Sequence, residues 1–113
     1  MGVAGNDDFD FEARLAALTR DYLRALPQRR EELARLWDAC RGGAATAEEW
    51  AALRQLVHRL SGSAPNYGLE ALGAAARAVD VLLSGTAPCR DAATLAPAVV
   101  ACAAALEAAI ASG

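Results

Sequence analysis

The chain holds a single histidine and three cysteines with no CxxC pair. These two shortages exclude a zinc site, because structural zinc takes four Cys or His ligands at characteristic spacings. No metal is therefore expected. The cysteine count is odd, so Cys40, Cys89 and Cys102 are expected as reduced thiols, with at least two in or near the core. Reduced thiols fit a cytoplasmic protein. Aromatic residues make up only 5% of the chain although hydrophobic residues reach 55%. Much of that apolar content is alanine, which favours closely packed helices. There is no basic excess: 11 Lys and Arg stand against 14 Asp and Glu, a net charge of −3. A nucleic-acid binder normally shows the opposite balance, so no nucleic-acid partner is expected. Alternating strand patterns and internal repeats are both lacking. The most apolar region, 95–110, is broken by Pro97 and Glu107 and reads as too short and too weak to span a membrane, so no membrane is expected as a partner. The opening "MGVAGNDDFD" has no basic segment followed by an apolar run, so it does not read as a signal peptide.

What is present is helical periodicity in five stretches. Residues 1–8 read as a flexible N-terminus. From Asp10 to Leu26, Phe11, Leu15, Leu18 and Tyr22 recur at spacings of four and three and form one apolar stripe. Asp7, Asp8 and Asp10 suit a helix N-terminus, and Pro27 is expected to end this helix and open the next. In Gln28–Cys40, Leu33, Leu36, Trp37 and Cys40 share a face, and Gly42 or Gly43 stops it. The third helix opens with a capping box, Thr46 and Glu49. Its core stripe is Trp50, Leu53, Val57, Leu60 and Ala64, widened by Leu56, and Pro65 ends or kinks it. The fourth, Leu69–Leu83, turns Leu72, Ala76, Val79 and Leu83 inward. The fifth is capped by Asp91 or Thr94, and Pro97 favours Thr94; Leu95, Val99, Cys102, Leu106 and Ile110 make its stripe. Similar lengths and short loops predict an all-α, up-and-down antiparallel four-helix bundle in a single domain, 1–113, with the first helix as an additional one covering an end or side of the bundle.

At 100° per residue His58 lies about 120° from the centre of its helix's core stripe, on the flank facing water. Its neighbours on that surface are Ala51, Arg54, Gln55, Ser61, Gly62 and Pro65. Gly62, one turn on, costs about 1 kcal/mol relative to Ala in a helix interior. Spacing leaves three readings of it open: access of another protein to the imidazole, close packing of a neighbouring helix, or an accidental glycine.

"HRLSGSAPNYG" resembles the active-site helix of histidine-containing phosphotransfer (HPt) domains, the relay modules of two-component signalling. The matching positions are His58, Leu60, Gly62, Ser63, Ala64 and Gly68. "YLRALPQRREELARLW" and "WAALRQLVHRL" also look like bacterial members, so the likeness extends over nearly the whole chain. The resemblance implies a four-helix bundle with an exposed phosphorylated His58, often with an extra N-terminal helix. It implies a carrier without autonomous catalytic activity that takes a phosphoryl group from a receiver-domain phospho-aspartate and passes it to another receiver. The implied partners are response-regulator receiver domains and a hybrid histidine kinase. No cofactor is implied on this chain, since the receiver brings Mg²⁺ and a lysine.

One departure stands out. Many members carry Lys three residues after the histidine, and here that position is Ser61. Arg54, one turn earlier, is the candidate substitute. The docking surface is expected to comprise Ala51, Arg54, Gln55, Ser61, Gly62 and Pro65, with weaker contributions from Arg59 and Asn66. Trp37 and Trp50 are expected in the core and Arg77 in solvent. A monomer is expected. Two other readings remain: a non-phosphorylated pseudo-HPt interaction protein that binds receivers or kinases, supported by Ser61, and a phosphatase using His58 covalently, which lacks a visible acid or base.

Overall fold

The computed structural model describes residues 3–112, with side chains from Asp10 onward. It contains four α-helices: α1 Val3–Arg41, α2 Ala47–Ser63, α3 Glu70–Leu83 and α4 Ala92–Ser112, with a short 3₁₀ turn at Ala64–Tyr67. No strand occurs among the described residues. The chain runs up and down, each helix antiparallel to the next, and α1 packs against both α2 and α4 to close the bundle.

The separate N-terminal helix is corrected. The two expected helices on either side of Pro27 are one helix of 39 residues that passes straight through the proline. A mid-helix proline costs about 3 kcal/mol. Leu26, Leu33 and Leu36 on both sides of it are buried in one core, and their burial offsets that loss. The acidic run at Asp7, Asp8 and Asp10 consequently falls inside α1 and not at its start. The helix does not fold back over the bundle either. Phe11, Leu15 and Leu18 are 62%, 50% and 54% exposed, so the first part of the expected core stripe has no neighbour. The radius of gyration is 16.9 Å, against about 13 Å for a compact domain of this length. The projecting end of α1 accounts for the difference.

The other ends follow local chemistry. Gly43, at φ +80°, takes the left-handed turn that closes α1. The capping box at α2 forms as read: Thr46 Oγ1 accepts from the Glu49 N–H, and Glu49 Oε1 accepts from the Thr46 N–H. Gly68, at φ +78°, lets the chain leave the 3₁₀ turn. α4 starts earlier than Pro97 suggested. Asp91 Oδ2 accepts from both the Thr94 N–H (3.0 Å) and the Thr94 hydroxyl (2.6 Å), so Asp91 is the cap and Pro97 lies in the second turn. With that longer start, α4 reaches 21 residues and is long and apolar enough to cross a membrane, which corrects the reading of 95–110 as too short and too weak. Its Leu95, Val99, Cys102 and Leu106 are buried in the bundle core.

The core is assembled from Leu26, Leu33, Leu36, Leu53, Val57, Leu60, Leu72, Val79, Leu95 and Leu106 with small Ala76 and Ala64 between them. Cys40 and Cys102 are buried and Cys89 half-buried, all three as free thiols. Trp37 and Trp50 lie at the rim of the core, half-buried, not inside it. Arg90 stacks its guanidinium 5.5 Å from the Trp50 ring centre.

Candidate functional site

Along α2 and the 3₁₀ turn that continues it, the residues that follow the core positions Leu53, Val57, Leu60 and Ala64 are Arg54, His58, Ser61 and Pro65. They form one flank of the helix. α3 repeats the arrangement, with Gly73, Arg77, Asp80 and Ser84 following Leu72, Ala76, Val79 and Leu83. Antiparallel packing sets the two flanks against each other, and three contacts fix the register. The Pro65 ring lies on Gly73, His58 faces Asp80, and Arg54 faces Ser84. A Cβ on Gly73 would stand 2.7 Å from Pro65 Cγ and 2.8 Å from its Cδ, so the close approach of the helices requires glycine there. Between the Pro65–Gly73 and His58–Asp80 pairs, one turn from each, the register places Ser61 opposite Arg77.

His58 Nδ1 lies 2.9 Å from Asp80 Oδ2. A carboxylate can only accept, so Nδ1 carries the proton and donates it. Nε2 then presents its lone pair and has no hydrogen-bond partner among the described residues. The His58 side chain is 64% exposed while Asp80 is 15% exposed. The imidazole is open to solvent, and the carboxylate that holds it is nearly enclosed. Asp80 is itself held: Ser84 Oγ donates to Asp80 Oδ1 at 3.0 Å, and Arg54 Nε donates to Ser84 Oγ at 3.1 Å. Four side chains thus form one hydrogen-bonded row from Arg54 to His58. This row can fix the tautomer and the ring orientation of a single imidazole.

The remaining expected residues fall into two groups. Ala51 and Arg54 border a shallow depression of about 340 Å³ between α2 and the α3–α4 loop. Gln55, Arg59 and Gly62, with Asn66, border a groove of about 640 Å³ between α1 and α2. His58 stands between the two, so the expected docking residues flank it on both sides. Ser61 turns its hydroxyl back onto the His58 carbonyl at 2.8 Å. Pro65 spends its ring on Gly73. Gly62 has ordinary helical backbone, and a Cβ added there would meet nothing within 4 Å. Close packing of a neighbouring helix is therefore not the reason for this glycine. Ser63 donates to the Arg59 carbonyl, so the Tyr22 hydroxyl donates to Ser63 Oγ, both at 2.7 Å. Tyr22 also stacks on Tyr67 with ring centres 4.2 Å apart. This cluster anchors α1 to the end of the site helix.

Asp80 and Ser84 were not anticipated. Their signal was the flank pattern, a polar residue one step after a core residue, shared by both helices.

The family model of the Hpt domain matches residues 17–112. The chain belongs to the Hpt domain family. That places it in the phosphotransfer branch of two-component signalling, among modules that carry phosphoryl groups, do not catalyse turnover, and meet receiver domains and histidine kinases. No curated protein and no solved structure matches the chain. The Hpt match begins within α1, so most of the projecting stretch before Leu18 precedes it.

Proposed function

We propose that His58 accepts a phosphoryl group from the phospho-aspartate of a receiver domain, within a hybrid histidine kinase, and passes it to the aspartate of a second receiver in the cytoplasm of a bacterium. The observation that carries this reading is the chain's one histidine, exposed on its helix with Nδ1 held by an enclosed carboxylate.

On this chain the step uses the His58 imidazole and the Asp80 carboxylate. The Nε2 lone pair attacks phosphorus, an N–P bond forms, and the bond from phosphorus to the receiver's carboxyl oxygen breaks with its electrons going to that oxygen. The Nδ1 proton stays where it is. The phosphorylated ring carries positive charge, and Asp80 lies 2.9 Å from that proton to balance it. In the second transfer the acceptor's carboxylate attacks phosphorus, the N–P bond breaks, and the lone pair returns to Nε2. The transition state of phosphoryl transfer is loose, so neutralising charge on the phosphoryl oxygens matters more than a base. The receiver's Mg²⁺ and lysine supply most of this. Arg54 contributes from this chain: its Nε is engaged by Ser84, and its terminal amino groups have no partner among the described residues. Arg77, opposite Ser61 and free of any ion pair with a described residue, is a second cation on the same flank. Ala51, Gln55, Arg59, Gly62 and Pro65 form the surrounding docking surface, and Gly62 keeps bulk away from the imidazole.

Ser61 favours a second reading, a pseudo-relay module that binds receivers without taking phosphate, because its hydroxyl is committed to the backbone and offers no charge. Incubation with a phosphorylated receiver separates the two. Acid-labile, base-stable phosphate on this chain supports the relay. A stable complex without label supports the pseudo-relay module.

A further inference from the structure

The layer formed by α3 and α4 carries no charge on its outer face. α3 turns the residues one step after its core positions, Asp80 among them, towards α2. The residues one step before those positions therefore lie on the α4 side. In α4 the order repeats. Glu107, one step after Leu106, reaches Arg30 of α1, so the residues one step before the core positions lie on the α3 side. On the outer surface that results, α3 exposes Ala71, Ala74, Ala78 and Val81. α4 exposes Pro97, Ala101, Ala104 and Ala108 beside them. Half-buried Leu82 and Ala105 fill the seam between the two helices. Beyond Leu69 the charged residues are Glu70, Arg77, Asp80, Arg90, Asp91 and Glu107. Glu70 lies at the rim of the face, at the start of α3, and the other five point to α2 or α1 or belong to the loop before α4. The exposed apolar surface is on the order of 500 Å² per chain, within the range in which such a patch marks an interaction site.

We propose that the outer face of α3 and α4 is a two-fold dimer interface with a second copy of this chain, in place of the monomer expected from the sequence. A face without charge offers nothing to the charges of an unlike partner and complements a surface like itself. A lipid surface fits it less well. Helices that lie on membranes carry Lys or Arg beside the apolar face, and the one basic residue of α3 and α4 is Arg77, turned to the α2 flank. Alanine at most of the contact positions lets helix axes approach to about 8 Å. Val81, 62% exposed, stands above the alanines as a ridge for the groove opposite. The 14 residues of α3 make the layer about 20 Å long, and two helices make it about 20 Å wide. Two such faces together reach about the 1,000 Å² at which specific interfaces begin. Either two-fold axis in the plane of the face sets the packed helices antiparallel, with α3 on α4 of the second copy or α3 on its α3. α1 and α2 make the opposite layer of the bundle, so the projecting end of α1 stays clear of the second copy in both arrangements. His58 opens onto the α2–α3 flank, so the dimer carries two accessible histidines. The inference stands apart from the phosphotransfer reading, since it uses none of the site residues.

Sedimentation equilibrium of the full chain over a wide concentration range tests it. The expected result is a mass rising with concentration from 11.7 kDa to twice that value. Ala78→Glu with Ala101→Glu places unpaired carboxylates in the interface. It should hold the mass at one chain while the helical circular dichroism and the labelling of His58 stay as in the parent. Ala78→Lys with Ala101→Lys should do the same, and an equimolar mixture of the two double variants should regain the dimer, because Glu then meets Lys under either two-fold. Leu15→Glu with Leu18→Glu, on the exposed stripe of α1, should leave the dimer intact. A single-chain mass at every concentration overturns the proposal, as does a dimer that survives the double alanine changes or is lost in the double leucine change. A single-chain mass with flotation on phosphatidylglycerol vesicles that Ala78→Glu with Ala101→Glu abolishes overturns it in favour of a lipid surface.

Discussion

Replacing Asp80 with asparagine keeps the size of the side chain and removes the charge that faces the His58 ring. The contact being altered is the 2.9 Å hydrogen bond from Nδ1 to Oδ2. A hydrogen bond to a charged group contributes about 1.5–3 kcal/mol. His58 is 64% exposed, so solvent screens much of the interaction and the lower end applies. About 1.5 kcal/mol of lost stabilisation of the positively charged ring corresponds to about tenfold slower transfer. The amide also offers an N–H towards the ring. That favours the tautomer with the proton on Nε2, which blocks the nucleophile. Two measurements apply: single-turnover phosphate transfer from a labelled receiver, and the ¹⁵N shifts of the imidazole, which report the tautomer. In Asp80→Asn the expected outcome is roughly tenfold slower transfer with a shifted tautomer ratio and unchanged helicity. Parent-like transfer with a parent-like tautomer would refute the role given to Asp80.

Two glycines should respond in opposite ways. Gly73→Ala forces a methyl group into the Pro65 ring and should destabilise the fold by about 1–3 kcal/mol in denaturant titration. Gly62→Ala meets open space and should stabilise by up to about 1 kcal/mol. Arg54→Ala and Arg77→Ala should each shorten the lifetime of the phosphorylated form, and Ser61→Lys should recover part of the loss. Unchanged lifetimes in both would assign charge neutralisation to the receiver alone. The thiols should also differ in reactivity. Burial pushes the Cys102 thiol up to about 11, and burial followed by the Glu49 carboxylate raises Cys40. Half-buried Cys89 should therefore be alkylated first. Because the folded thiols ionise later than unfolded ones near 9.0, their contribution to stability should be fully present below that pH and be lost as pH rises beyond it towards about 11. Equal alkylation rates at all three would contradict this.

The helical class, the position of His58 and most of the core were legible because each depends on one helix's own period. Val57 and Leu60 point inward, so His58 points outward, whatever lies next door. The capping box at Thr46 was legible for the same reason. What depended on neighbours was not. Asp80 and Ser84 matter only once α2 and α3 are set in one register, and that register rests on Pro65 against Gly73, a contact between residues eight positions apart across a turn. Local propensity misjudged both prolines. Pro27 and Pro97 each cost a backbone hydrogen bond, yet buried leucines on either side keep their helices continuous. The stripe of Phe11, Leu15 and Leu18 carried the period of a core face, and period alone does not say whether a neighbour is present to cover it.

The central claim is that phosphate resides on Nε2 of His58 while Nδ1 keeps its proton against Asp80. Since the chain has one histidine, ¹⁵N-histidine labelling yields a single imidazole and leaves no ambiguity of assignment. After phosphorylation by a receiver, the ³¹P–¹⁵N coupling should appear on Nε2, with Nδ1 still protonated. Coupling to Nδ1, or phosphate uptake that persists in His58→Gln, would contradict the account.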